Sequence, residues 1–329
     1  MNNKTNEIFT KETAGRLMHN EFITLQETYT VDQAVTHVRE NVESKTNIHY
    51  LYILNTHKQL TGVLSIRELL SSPSELPLTS VMTTNITSFS TNLDQEKAAK
   101  IFQNKDLVSI PVVNKQELLL GVVHVDDILD VMQQEATEDF HKMAPVSSLE
   151  GSLKNASIFT LYRKRIIWLI VLVFMNVFSG AGIAHFEDVI AANIALVFFL
   201  PLLVDSGGNA GSQSATLMIR AMATGDIKMT DWLKMFTKEI AVAITLGVTM
   251  AFAVATVGVF RGGPEIALVV ALTMVLIVIV GSLIGMSLPF IFEKLKLDPA
   301  TASAPLITSI ADIVGVLIYF SIAAKILAL

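Results

Sequence analysis

Six carboxylates, Asp126, Asp127, Asp130, Glu135, Glu138 and Asp139, fall within 14 residues, and no Lys or Arg occurs between Lys115 and Lys142. On a continuous helix, positions 127, 130, 134 and 138 share one face, as do 135 and 139. Like charges at that spacing repel. Carboxylate oxygens suit hard divalent cations such as Mg2+ and Ca2+. The run therefore reads either as a solvated acidic face or as a segment whose repulsion a divalent cation relieves.

A second chemical feature lies in apolar sequence. Asp312 interrupts the run Pro299–Ala324. A charge at the centre of a bilayer costs on the order of 2.5–3.5 kcal/mol, so such a residue faces protein, water or an ion. It reads as an ion site or as a carboxyl group held between helices. The segment DSGGNAGSQSAT, residues 205–216, sets Gly, Ser, Asn and Gln beside another apolar run. Small residues let helices approach, and polar ones hold water, so packing and permeation are both open readings. Gly207 and Gly211, like Gly281 and Gly285, have the spacing of a helix-packing motif. Catalytic chemistry finds little support. There is no cysteine, no Walker loop and no HExxH, and the histidines at 19, 37, 49, 57, 124, 141 and 185 fall into no recognised ligand spacing. The chain reads as a non-enzyme.

The elements that must position these groups divide the chain in two. Of 329 residues, 51% are hydrophobic and 16% charged, and the mean hydropathy is +0.53; disorder is excluded and a purely soluble globule is disfavoured. The polar start MNNKTNEIFT has no apolar core of a secretory signal. Residues 1–150 carry a net charge of −8 and residues 151–329 a net of +2. An acidic first half favours cations over nucleic acid or anionic lipid. From residue 166 onward, five apolar stretches predict membrane helices over about 166–186, 189–219, 240–260, 266–292 and 299–324. Arg163, Lys164 and Arg165, then Arg220, Lys228, Lys234 and Lys238, then Lys294 and Lys296 fall on one side of these spans; Arg261 and Lys325 fall on the other. That asymmetry puts the N-terminus in the cytoplasm and the C-terminus outside, across the plasma (inner) membrane.

The first half contains a repeat. Met18 aligns with Met82, and Val31–Ala34 with Gln95–Ala98, at one shift of 64; farther on, YLYILNTHKQLTGVLSIREL matches SIPVVNKQELLLGVVHVDDI, with Gly62 over Gly121. Each unit reads strand, helix, β-branched strand, turn, strand, helix. The predicted organisation is an N-terminal tail (1–14), an α/β repeat pair (15–137, units about 15–78 and 79–137), a connector (138–162) and a helical membrane domain (163–329).

The GVLSIRE and GVVHVDD segments resemble those of a tandem CBS domain pair. That resemblance implies either a structural pair or the binding of ATP or another adenine nucleotide, with Tyr50 stacking on the base, Arg67 meeting phosphate and Glu68 and Asp127 meeting the ribose. The whole chain from about Gly15 resembles the MgtE family of magnesium channels and transporters, on PLLVDSGGNAGSQSATLMIRAMATGD (201–226), AHFED (184–188) and DPATASAPLITSIADIVG (298–315). It is a short form: family members carry a helical domain ahead of the CBS pair, where fewer than 20 residues precede it here.

The resemblance implies a homodimer in the lipid bilayer with one pore on its two-fold axis, lined by the second and fifth spans. Asp312 takes the place of the pore carboxylate around a hydrated Mg2+, with Thr308 one turn earlier. Gly208, Ser212 and Thr216 lie on the lining face of the second span, with Asn209 and Asp205 beside them. Regulatory Mg2+ is implied at Asp94, Glu96, Asp106, Asp127, Asp130, Glu135, Glu138 and Asp139, the last of these running into a plug helix over about 134–155. The implied function is Mg2+ import gated by cytoplasmic Mg2+. The alternative is a secondary exchanger of Mg2+ or another divalent cation, with the CBS pair as nucleotide sensor.

Overall fold

The computed structural model describes residues 9–44, 48–144 and 153–328. The chain divides into two units, 1–136 and 137–329.

The first unit holds two three-stranded sheets. One has the order β1 (Ile23–Gln26), β2 (Tyr50–Leu54), β3 (Leu60–Ser65); the other has β4 (Phe89–Ser90), β5 (Ser109–Val113), β6 (Leu119–His124). In each, the first pair is parallel and the second antiparallel. A register shift falls at the same place in both, next to the pairs Ile53 with Gly62 and Val112 with Gly121. The helices between strands are α2 (Val31–Asn41) and α5 (Gln95–Lys105), and α3 (Ile66–Ser71) follows β3. Their starts follow from local chemistry. Thr30 and Gln33 form a reciprocal cap on α2, Ser65 and Glu68 do the same on α3, and Asp94 caps α5.

The leading segments of the two repeats are exchanged in space. α1 (Ala14–Leu17) precedes the first sheet, yet Ala14 and Met18 are buried in the second sheet's core with Phe89, Phe102 and Ile110. α4 (Leu78–Val81) opens the second repeat, yet Leu78 and Met82 pack with Ile23, Leu51 and Leu64 of the first. The two repeat glycines explain the fit. A β-carbon on Gly62 would collide with Met82, and one on Gly121 would stand 2.8 Å from the Met18 side chain. The division at 78/79 is therefore a boundary in sequence but not in packing.

α6 (Val125–Met143) runs unbroken from the last strand through the whole acidic segment. The separate connector expected over about 134–155 is thus, as far as Met143, the second half of this helix. Residues 153–155 form a 3-10 turn, and 145–152 lie outside the described residues.

The second unit is helical: α7 (Ile158–His185), α8 (Glu187–Ala192), α9 (Ala195–Ala223), α10 (Trp232–Lys294) and α11 (Ala304–Ile326). Among the described residues, three helical stretches are long and apolar enough to cross a membrane: α7, α10 with the short turn before it, and α11. The described boundaries correct several expected ones. α7 begins at Ile158, ahead of Arg163–Arg165, because Ser157 caps it there. The stretch 189–219 is not one helix: Asn193 (φ −145°, ψ 87°) breaks it, and α9 continues to Ala223. Pro299–Thr301 is a 3-10 turn capped by Asp298, so α11 starts only at Ala304. The stretches 240–260 and 266–292 both belong to α10, which doubles back at Gly263. Gly263 has φ +82°, a left-handed value that glycine adopts without penalty. The two arms then pack on each other, with Gly258 facing Ala267 and Gly247 facing Val275.

The core of this unit joins Leu196, Phe199 and Leu203 of α9 to Val270, Ile277 and Val278 of α10 and to Val316, Tyr319 and Phe320 of α11. The Tyr319 hydroxyl donates to the Leu196 carbonyl at 2.9 Å. The two glycine pairs bring α9 and α10 backbone to backbone: an added β-carbon on Gly211 would lie 2.6 Å from the Gly281 carbonyl oxygen, and one on Gly285 would come closer still to the Gly211 carbonyl. α7 buries none of its residues in one chain, and Val173, Phe174, Val177 and Phe178 are exposed on it.

Candidate pore seam, acidic helix and cleft

α9 and α11 meet along a seam that gathers the polar residues of both membrane stretches. Gly208 is buried against Thr308: an added β-carbon would lie 2.9 Å from the threonine methyl and 3.3 Å from its hydroxyl. One turn on, the Ser212 hydroxyl lies 3.5 Å from both the Thr308 hydroxyl and the Ala304 carbonyl. Val204 is the α9 neighbour of Gly315. Asp312, between Thr308 and Gly315, therefore sits level with residues 204–208. Asp205 lies within electrostatic range of it. The Asn209 amide donates to the Asp205 carboxylate at 2.9 Å, and the Thr216 hydroxyl donates to the Ser212 carbonyl at 2.8 Å.

Exposure sorts these residues. Asp205, Asn209 and Thr216 are exposed in a single chain, and Ser212, Thr308 and Asp312 are half-buried. The polar stripe of α9 is thus 205, 209, 212 and 216. Of the expected stripe of 208, 212 and 216, Gly208 is buried and forms the contact that closes the seam, and its missing side chain is what lets Ser212 reach Thr308. Asp312, Thr308, Ser212, Asn209 and Asp205 are brought together; Thr216 extends their line by one turn.

The acidic residues of the repeat pair and of α6 are dispersed. Asp94 caps α5 through the Lys97 N–H at 3.2 Å, Glu96 pairs with Lys100 at 2.8 Å, and Asp106 ends α5 with φ 51°. Asp127 accepts from His19 at 2.8 Å and from the His124 N–H at 3.1 Å. Hydrogen bonding to Asp127 outweighs burial and raises His19 above the ordinary histidine range, whereas burial pushes His124 down. Glu135 accepts from the Gln95 amide at 2.6 Å. Asp130 is exposed on α6, and Asp139 lies on its last turns. Among the described residues, no three His, Asp or Glu side chains are grouped to hold a metal.

Glu138 has a different partner. Lys142 Nζ lies 2.5 Å from Glu138 Oε1 and 2.5 Å from Asp298 Oδ2. Partial burial opposes the lysine charge, but the two carboxylates overcome it and hold Lys142 well above its usual range. The sequence reading named neither Lys142 nor Asp298 as functional. The only local signal was the Asp298–Pro299 step, which marks a helical start.

The nucleotide residues divide. Tyr50 and Glu68 line a cleft of about 180 Å3 that Ser65, Thr83, Asn85, Thr87, Ser109 and Pro111 also border. Arg67 is not among its walls. Glu68 is engaged by the Ser65 hydroxyl at 2.7 Å and the Ser65 N–H at 2.9 Å, which hold its carboxyl below the usual range. Beneath the cleft, the Tyr52 hydroxyl meets the Ser109 hydroxyl at 2.9 Å and joins the two repeats; burial pushes the phenol up to about 12.

Comparison with known proteins places this arrangement. The family model MgtE, described as a divalent cation transporter, matches residues 200–322, and the CBS domain model matches 14–75 and 78–134. The chain is 36% identical over 315 residues to the magnesium transporter MgtE of Thermus thermophilus, covering 96% of this chain and 70% of that protein. It is 37% identical to the magnesium transporter MgtE of Bacillus subtilis, covering 95% and 69%. A solved structure of the cytosolic domain of the Mg2+ channel MgtE in complex with ATP is 30% identical; the match covers 39% of this chain and 52% of that one, with a TM-score of 0.38. With membrane-capable helices behind a CBS pair, and more than two thirds of its curated relatives matched along their length, the chain belongs to the MgtE family of divalent cation transporters.

Proposed function

We propose that the chain forms a homodimeric, magnesium-selective channel that admits hydrated Mg2+ to the cytoplasm, with its own cytoplasmic Mg2+ as the closing signal. In this reading the membrane unit spans five times: α7, α9, both arms of α10, and α11. The CBS pair lies in the cytoplasm and the C-terminus outside. The observation that carries the reading is the seam: a polar stripe on α9 runs beside Asp312 and Thr308 in an otherwise apolar bundle. Mg2+ dehydrates reluctantly and keeps several waters in most sites. Hydroxyls, an amide and carboxylates that meet an ion through water avoid that dehydration cost. Two such seams facing each other across a dimer axis would enclose a wet, negatively charged path, and the membrane potential would drive a divalent cation along it.

The acidic face of α6 acts in this reading through its charge. Its carboxylates repel one another, and divalent cations weaken that repulsion, so a state that brings them closer gains as Mg2+ rises. Adenine nucleotide binds in the cleft at Tyr50, on the chemistry of one aromatic face beside hydroxyls and an amide.

Proteoliposome Mg2+ flux, recorded as Mg2+ on the cytoplasmic side is stepped from zero to millimolar, tests the proposal. Flux that shuts as Mg2+ rises supports both pore and gate. Flux that persists leaves the pore without this gate. Transport that saturates and demands a counter-ion replaces the channel with an exchanger. Asp312→Ala is expected to abolish selective flux, and undiminished uptake would remove Asp312 from the pore.

A further inference from the structure

The cleft between the two repeats is small, and its charge is of one sign. Its volume is about 180 Å3, below the roughly 300–1,000 Å3 of pockets that enclose drug-sized ligands. Both repeats border it: Tyr50 and Glu68 from the first, Ser109 from the second, with Thr83, Asn85 and Thr87 from the segment between α4 and β4. Among the described residues, no Lys, Arg or His side chain lines it, and Glu68 is its charged wall. The Ser65 hydroxyl and N–H both donate to Glu68 Oε2 and hold the carboxyl below its usual range, so this wall is negative at neutral pH. Arg67 is exposed outside the walls, and its charge acts on Glu68 itself. The first turn of α3 offers an anion little, because the Ser65 and Glu68 N–H groups are already bonded within the cap.

Such walls favour the neutral part of a nucleotide. Tyr50 presents a flat face for a base. The Asn85 amide supplies a donor and an acceptor, as a base edge requires. With both Ser65 donors on Oε2, Glu68 Oε1 is left to accept from a ribose hydroxyl. A polyphosphate meets no counter-charge among these residues, and its burial beside an ionised carboxylate is penalised. The equivalent place in the other half of the pair is closed. At the shift that sets Gly62 over Gly121, Tyr50, Ser65 and Glu68 correspond to Ser109, His124 and Asp127. The space that Ser109 and His124 border there is about 10 Å3, room for one water at most. His19 engages Asp127 at 2.8 Å, so the carboxylate equivalent to Glu68 is already taken.

We infer that the cleft is a nucleoside site: it recognises the uncharged base and ribose of an adenine compound, and each added phosphate weakens binding. The inference rests on the reading of the cleft as an adenine site and narrows its ligand to adenosine in preference to ATP. The cleft then answers to the nucleoside rather than to the triphosphate, and it needs no Mg2+ to neutralise what it binds.

Calorimetric titration of the detergent-solubilised full chain with adenosine, AMP and ATP, each with and without Mg2+, tests this. Adenosine should bind at one molecule per chain and about tenfold more tightly than ATP, the effect of one charge left without a partner. AMP should fall between them, and Mg2+ should leave adenosine binding unchanged. ATP that binds more tightly than adenosine overturns the inference and leaves the adenine reading standing. No binding by any of the three overturns both. Two variants test the cause. Glu68→Gln keeps the size of the wall and removes its charge, so adenosine and ATP should draw closer in affinity. Thr83→Lys, at an exposed position on the wall, brings a cation to the cleft and should reverse the order in favour of ATP. A ratio of affinities that neither variant moves refutes the role of wall charge, and the inference with it.

Discussion

Gly208 and Thr308 meet so closely that the threonine methyl lies 2.9 Å from where a β-carbon on the glycine would be. The contact sets the distance between α9 and α11 at the level of the polar stripe. It is why Ser212 and Thr308 can stand 3.5 Å apart. Gly208→Ala should force the seam apart, costing about 1–3 kcal/mol as overpacking does, and should lower Mg2+ flux in proteoliposomes. Removing the methyl gives a check on the cause. Gly208→Ala/Thr308→Ser should recover flux, and if the double variant is as impaired as the single one, the close approach is not the reason.

The α9–α10 packing should be less forgiving. Gly285 faces the Gly211 backbone, which no rotamer change can move away. Gly285→Ala is expected to lower the unfolding temperature of the detergent-solubilised protein clearly. Gly180→Ala is the control, because nothing lies within 4 Å of a β-carbon there. In a helix that change should be neutral or slightly stabilising, by up to about 1 kcal/mol. Equal effects at the two positions would contradict the packing.

Nucleotide binding should depend on Tyr50 and not on Arg67. Tyr50 lines the cleft and Arg67 does not. Calorimetric titration with ATP should show Tyr50→Ala weakening binding by about 1–3 kcal/mol, the worth of one base stacked on an aromatic ring. Arg67→Ala should change it little. A large loss at Arg67 with none at Tyr50 would relocate the site.

The cap of α3 should be acid-sensitive. The Ser65 hydroxyl and N–H lower the Glu68 carboxyl in the folded chain below its reference value of 4.5. The folded state thus binds this proton less readily than the unfolded one. The stabilisation is complete above about pH 4.5, the unfolded value, and disappears as pH falls through the lower folded value. Amide exchange in the first turn of α3 should accelerate across that acidic window. Glu68→Gln, which cannot ionise, should remove the pH dependence.

Much of this protein was legible in its sequence, for identifiable reasons. Hydrophobic runs without charge mark helices, because a backbone in an apolar setting must satisfy its own hydrogen bonds. Alternating β-branched residues and paired turns marked the repeated strands, and Asn55 and Asn114 hold equivalent turns by accepting from the N–H groups of Gln59 and Leu118. Asp312 stood out because ionisable groups in apolar segments are rare and costly. Local signals also set the caps of α2, α3 and α5. All of these depend on residues close together along the chain.

Tertiary structure decided what depends on distant partners. The exchange of α1 and α4 between repeats is invisible to alignment, because each segment looks the same whichever sheet it covers; Met18 and Met82 show the choice only by what they touch. Glycine spacing suggested helix packing, but not that Gly208 would serve α11, Gly207 α10 and Gly211 both. The acidic residues, read as one group, turned out to have separate neighbours, since spacing along a helix fixes a face but not what comes to meet it. Lys142 and Asp298, 156 residues apart, carried no shared pattern at all. Sequence determined which segments become helices and strands, because that is settled by neighbours within a turn or two; only folding decided which charges and which small residues would face each other, because that is settled by packing.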